Sequence, residues 1–307
     1  MKLGLSHLVD PRLLPLVEAS RGFYATRVPG RGPSCPEQLR AVRAGLAGPV
    51  PSEPPAVEEL VRADGRSVPV RIHTPTDRPA TGSLLEIHGG GFYLGSAADG
   101  DIRNRQLADA LGLAVVSVDY RLAPEHPWPA APEDCETAAL WLTEHAADRF
   151  GTTRLSVAGF SAGATLAVST LLRLRDRGTC PFEAAVLQFG TYDLSGLTPA
   201  GRLIAEEYFL DAYAGAAADR TDPGLSPVYA DPAGLPPTLV VVGEADVLLH
   251  DNLAMAMRMS AAGVDVDLRV YPGSPHGFTA HPTPMAGAAL DDIETWLENH
   301  LGAQAPT

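Results

Sequence analysis

The chain has 307 residues, 45% hydrophobic and 20% charged, which suits one large folded domain with a small accessory element rather than two full enzyme domains. Its net charge of −14 argues against nucleic acid or an anionic membrane surface as partner, because both select clustered cations. Lys2 is the only lysine among 23 cations, which removes Schiff-base lysines, phosphate-loop lysines and Ser-Lys dyads from consideration.

Residues 1–55 lack strand alternation and carry Pro29, Pro33, Pro36, Pro49, Pro51, Pro54 and Pro55, with helices expected near 10–20 and 36–46. This stretch reads as an N-terminal arm or cap. The apolar run after Lys2 is broken at Ser6, His7 and Asp10, too short for a secretory signal, and no stretch approaches the ~18 apolar residues of a membrane span. Cys35, Cys135 and Cys180 are odd in number and widely spaced, as expected of free thiols in a reducing compartment, and Cys135 is expected to be buried. A cytoplasmic protein follows as the expectation, with a homodimer left open.

From Val57 the texture changes. Glu58–Arg62, the Asp64-Gly65 turn and Val68–His73 predict a β-hairpin. Apolar runs then recur at Leu84–Ile87, Leu113–Val118, Leu155–Phe160, Ala184–Phe189, Leu239–Val242 and Val266–Tyr271, separated by helical periodicity. Strands buried on both faces of a largely parallel sheet read this way. One helix starts near Pro132, places Cys135, Ala138, Ala139, Leu142 and Ala146 on one face and stops at Gly151. Another runs from Ala162 through Arg173, Arg175 and Arg177 to Gly178. Between Asp193 and Pro236 the alternation lapses, leaving one helical stretch over Gly201–Tyr213 in what reads as an insertion. The chain thus divides into an arm or cap (1–55), a first core part (56–193), a cap insertion (194–235) and a second core part (236–307).

Gly159-Phe160-Ser161-Ala162-Gly163 sits where a strand ends and a helix begins. A G-x-S-x-G turn there forces the serine into a strained backbone, tolerable only between small neighbours, and lifts its hydroxyl clear of the sheet. It also puts the serine at a helix N-terminus, where N–H groups meet developing negative charge. His88-Gly89-Gly90-Gly91 follows another strand; three glycines let backbone N–H groups turn toward a ligand, or serve as a plain flexible turn. The phosphate-loop pattern G-x-G-x-x-G fails at Leu94.

A serine hydroxyl needs a base, and the base an orienting acceptor. Asp246 and His276 both lie just past strand ends, in the chain order Ser, Asp, His. Glu244 and Asp251 compete for the acid's place, and His250, His281 and His300 for the base's.

The run Glu86–Phe92, the segment Asp119–Ala130, the elbow, and Leu235–Thr238 through Asp246 to His276-Gly277-Phe278 together resemble the bacterial hormone-sensitive-lipase-like (family IV) carboxylesterases, over about residues 57 to 300. The resemblance implies an α/β-hydrolase fold: a mostly parallel eight-stranded sheet with one antiparallel strand, flanked by helices, under a small helical cap. It implies ester hydrolysis of a small-molecule substrate without cofactor or metal. By motif position Ser161, Asp246 and His276 are the triad, and Gly89, Gly90 and Ala162 supply the oxyanion hole. Asp119–Glu125 is scaffold. The sequence departs from the family at Phe160, where Asp or Thr is usual, at Val247, where Pro is common, and at Ala164, a frequent glycine.

Phe92, Tyr93, Tyr192, Tyr208 and Phe209 are candidates to line an apolar substrate pocket. A compact cap suits short acyl chains, acetyl to butyryl. Amide, lactone or metabolite-deacetylating chemistry would use the same triad, and a hydrolysis-dead receptor on this fold would have lost the histidine that His276 retains.

Overall fold

The computed structural model describes residues 8–27 and 32–301; the expectations resting on Lys2, Ser6, His7 and Pro29 lie outside them. The hairpin forms as predicted, β1 (Val57–Ala63) pairing antiparallel with β2 (Arg66–His73) across the Asp64-Gly65 turn. Each later apolar run becomes a strand: β3 (Gly82–Ile87), β4 (Leu113–Val118), β5 (Leu155–Phe160), β6 (Phe182–Gln188), β7 (Thr238–Gly243) and β8 (Val266–Tyr271). They join in one sheet of order β1-β2-β4-β3-β5-β6-β7-β8. Only β2 runs against its neighbours; the pairs from β4 to β8 are parallel.

Strand alternation divides the core into two layers. Leu85, Val116, Val157 and Leu187 face α4 (Ala130–Phe150) and α5 (Ala162–Asp176), whose Ala138, Leu142, Leu166 and Leu171 fill that side. Leu84, Val115, Ala184 and Val241 face the other way, against Leu107 of α3 (Asp101–Leu111) and Ile293, Trp296 and Leu297 of α8 (Pro284–Leu301). Both faces are covered, hence the continuous apolar strands. The glycine stops operate as expected: Gly151 ends α4 in the left-handed region at φ 74°.

The N-terminal arm is helical where expected. A 3-10 turn at Pro11–Leu16 runs into α1 (Val17–Ala25), and α2 spans Pro36–Gly45. α1 lies beside the segment after β8, with Phe23 and Tyr24 against His281. Arg43 of α2 donates to the carbonyls of Tyr93 and Ala123 and pairs with Glu125. The insertion departs from the expected single helix over Gly201–Tyr213. It forms a 3-10 turn at Gly201–Leu203 and a separate α6 (Tyr208–Ala214), because the chain turns extended at Glu207, ψ 130°. α7 (Leu249–Ala261) follows β7. No helix among the described residues is long and apolar enough to cross a membrane.

Candidate active site

Three loops at the C-terminal ends of β5, β7 and β8 meet beside a fourth that leaves β3. Ser161 sits between β5 and α5 at φ 53°, ψ −117°, the strained backbone expected of an elbow. The residues two positions to either side must be glycine. A Cβ on Gly163 would lie 1.9 Å from the carbonyl oxygen of Ile87, and one on Gly159 2.2 Å from that of Gly163. This contact packs the first turn of α5 directly on the end of β3. The Ser161 N–H donates to the carbonyl of Gln188 at 2.9 Å, tying the elbow to the end of β6.

Ser161 Oγ lies 2.8 Å from His276 Nε2, and His276 Nδ1 lies 3.0 and 3.1 Å from the two oxygens of Asp246. The loops carrying base and acid are bonded to each other: Ala245 N–H donates to Ser274 O, and Gly273 N–H to the Glu244 carboxylate. The Asp246 side chain has no exposed surface, while that of His276 is 37% exposed. Asp246 also accepts from Leu248 N–H at 2.8 Å, which fixes the carboxylate under the ring. Nδ1 facing a carboxylate carries the proton, leaving Nε2 free to accept from the serine.

The competing groups are accounted for elsewhere. Glu244 receives Gly273 N–H; Asp251 is buried and receives the N–H groups of Tyr192 and Asp193. His281 bonds Tyr24, His300 sits over Trp296, and His250 is exposed in the helix Leu249–Ala261.

Beside the elbow, against Phe160 and Gly163, stands the glycine loop. Gly90 has φ 114°, and a Cβ there would lie 2.0 Å from Leu94 O, so only glycine fits. His88 Nδ1 is 2.7 Å from Gly89 O, and a carbonyl can only accept, so the ring donates there. The imidazole is stacked on Tyr120 at 4.1 Å, and burial lowers its pKa, holding it neutral. With Gly89 O turned to His88, the N–H of Gly90 points to the other side of the planar peptide. Among the described residues no acceptor takes the N–H of Gly89, Gly90 or Ala162. The Asp119–Glu125 segment is scaffold, as expected: Asp119 receives Ala97 N–H, Tyr120 donates to His88 O, and Arg121 grips Asp134.

The aromatic candidates divide. Tyr208 and Phe209 are partly exposed, with ring centroids 6.2 and 6.4 Å from that of Tyr93; Tyr93 itself is nearly buried, and burial with nearby Glu207 pushes its phenol up to about 12. Phe92 and Tyr192 do not line an opening: both are fully buried, Phe92 stacked on Tyr213 at 3.9 Å and Tyr192 beneath Gly190. Phe160 fills the space between Gly89 and Gly277 and meets Phe189 edge to face at 4.8 Å. An apolar ring therefore stands where relatives of the resembled family place a polar group. Val247 is half exposed and Ala164 fully buried.

Sequence reasoning passed over Phe189 and Asn252 as site neighbours. Phe189 leaves β6 with φ 41° and lies 5.1 Å from the His276 ring. No local signal marks it, since phenylalanine at a strand end is ordinary. Among the described residues no group of three His, Cys, Asp or Glu side chains could hold a metal ion.

The chain matches the family model of the α/β-hydrolase fold over residues 84–280. It is 34% identical over 259 residues to an ethyl acetate hydrolase of Pseudomonas putida, covering 79% of this chain and 80% of that protein. An arylesterase of Saccharolobus solfataricus is 32% identical over 270 residues, 81% and 87% of the two chains. Among solved structures, a thermostable esterase from Pseudomonas putida superposes with TM-score 0.82 at 28% identity, over 94% of this chain and 98% of that one. A hormone-sensitive lipase from a metagenome library gives TM-score 0.73 at 29% identity, over 96% and 99%. The chain belongs to the α/β-hydrolase fold family and, within it, to the hormone-sensitive-lipase-like (family IV) carboxylesterases, enzymes that hydrolyse carboxylic esters.

Proposed function

We propose that this carboxylesterase cleaves short acyl esters of small alcohols, acetyl to butyryl, through an acyl-enzyme on Ser161. The observation that carries the reading is the continuous chain from Ser161 Oγ to His276 Nε2 at 2.8 Å and from His276 Nδ1 to Asp246 at 3.0 Å. His276 takes the serine proton as Oγ attacks the ester carbonyl, and the buried Asp246 holds the ring's tautomer and stabilises its cation. The N–H groups of Gly89, Gly90 and Ala162 receive the oxyanion, each donor worth about 3 kcal/mol. His276 then protonates the departing alcohol, and water attacks the acyl-enzyme by the same route in reverse.

The short-chain reading is supported by the aromatic cluster of Tyr93, Tyr208 and Phe209 near the glycine loop and by the names of relatives, which include an ethyl acetate hydrolase and an acetyl-hydrolase of Streptomyces hygroscopicus 37% identical over 234 residues. We assign the arm (1–55) and the insertion (194–235) to a cap over this site, since Arg43 of the first holds the Tyr93 loop and the Phe209 ring of the second stands 6.4 Å from that of Tyr93. The free cysteines 35, 135 and 180 support a reducing, cytoplasmic setting.

The test is a rate profile over p-nitrophenyl acetate, butyrate, octanoate and dodecanoate, with matched anilides, for the parent and Ser161→Ala. The reading expects the fastest turnover at acetate or butyrate, negligible anilide cleavage and no turnover by the variant. Comparable turnover by Ser161→Ala removes the nucleophile; a preference for dodecanoate or for anilides replaces the substrate class.

A further inference from the structure

β6 ends on Gln188, and the next residue takes a backbone conformation that a phenylalanine seldom adopts: Phe189 has φ 41°, in the left-handed region. Glycine would take this position without steric cost, yet the chain keeps a large side chain there, with no exposed surface. Strain of this kind persists only where surrounding contacts over-determine it, and it concentrates at functional sites.

The ring shows what the strain is used for. It stands nearly perpendicular to the imidazole of His276, centroids 5.1 Å apart at 70°, and it is backed by Phe160 at 4.8 Å and Phe278 at 6.0 Å. Phe189 thus forms a rigid apolar wall on one side of the base. Its backbone is held from both ends. Phe189 N–H donates to Val241 O at 2.7 Å, and the carbonyl of the following Gly190 accepts from Asn252 Nδ2 at 2.9 Å. Asp251 receives the N–H groups of Tyr192 at 2.5 Å and Asp193 at 3.2 Å, so the whole 190–193 loop is fastened to the first turns of α7. Asn252 Nδ2 also donates to Leu248 O, while Leu248 N–H donates to Asp246. One short segment, 246–252, therefore fixes the acid beneath the imidazole and the clamp on the wall beside it.

We propose that Phe189 is a positioning residue for His276, its strained backbone held by the Asn252 and Asp251 clamp so that the ring keeps the imidazole aligned between Ser161 and Asp246. The proposal rests on the esterase reading of that pair. An imidazole free to swing would lose either the 2.8 Å contact to Ser161 or the bond to Asp246, and misplacement by about 1 Å costs on the order of a hundredfold in rate.

The experiment compares Phe189→Leu and Asn252→Ala with the parent protein by kcat and KM for p-nitrophenyl butyrate, and by the low-field proton resonance of His276 Nδ1–H at Asp246. Both variants are expected to lose about tenfold to a hundredfold in kcat with KM within about twofold. The low-field resonance should shift or broaden. A folded variant with parental kcat and an unmoved resonance overturns the proposal, as does a rise in KM alone, which would assign the ring to substrate binding. Should Phe189→Leu not fold, Asn252→Ala decides, because it keeps the Phe189 side chain and removes the side-chain bonds from Asn252 to Gly190 O and Leu248 O that hold its backbone. If the parent hydrolyses none of the esters, the esterase reading fails, and the resonance still reports whether Phe189 seats the imidazole.

Discussion

Gly163→Ala probes the joint between the elbow and the glycine loop. The added methyl carbon would start 1.9 Å from Ile87 O and 2.6 Å from His88 O, against the roughly 3.5 Å at which such atoms rest. Relief requires the first turn of α5 and the end of β3 to separate by about 1.6 Å, the difference between the Ile87 O distance and that rest distance. The two sides of that gap carry Ala162 on one and His88-Gly89-Gly90 on the other, so the donors proposed for the oxyanion move apart. Losing one of them costs about 3 kcal/mol of transition-state stabilisation, a hundredfold or more in kcat. Overpacking lowers global stability by a further 1 to 3 kcal/mol or thereabouts. The assay pairs kcat for p-nitrophenyl butyrate with a urea unfolding curve. A variant with parental kcat would refute the placement of these donors, and one with parental kcat and stability would refute the packing itself.

Two further predictions concern stability. Burial pushes the Asp251 carboxyl from 3.8 up to about 6, so the native state binds a proton more readily than the unfolded chain between those pH values. The fold therefore gains stability from this group as pH falls through about 6 and pays a penalty of about 3 kcal/mol once Asp251 is ionised. Asp251→Asn should raise the melting temperature at neutral pH, with the gain closing near pH ~4; equal gains at both pH values would refute the assignment. Glu136 on α4 is buried and receives Arg66 of the hairpin, Arg173 of α5 and Arg177 just past its end, at 2.7 to 3.0 Å. Glu136→Ala leaves three guanidinium groups without their common acceptor and should cost about 3 kcal/mol in urea unfolding, the low end for a buried pair because the arginines are partly exposed. A loss below about 1 kcal/mol would place this cluster with ordinary surface pairs.

Much of this protein is written in local sequence. Parallel strands covered on both faces must be apolar throughout, so the runs at Leu84, Leu113, Leu155 and Leu239 announced strands β3, β4, β5 and β7. The elbow was equally legible, because its steric demand falls on residues two positions either side of Ser161. The order Ser, Asp, His and the strand-end positions followed from the same runs. Tertiary structure decided what depends on residues far apart in the chain. Ser161 and His276 are 115 positions apart, and only the fold brings Asp246 within 3.0 Å of His276 while Glu244 receives Gly273 N–H and Asp251 those of Tyr192 and Asp193. Aromatic residues looked alike in sequence, yet folding left Tyr208 and Phe209 partly exposed and sealed Phe92 and Tyr192 in the core, since burial is set by what packs on a side chain from other elements. The same holds for Phe189, whose strained backbone is sustained by Asn252 and Asp251 from a helix some sixty residues later. Local propensity named the parts of this esterase; long-range packing determined which of them face one another.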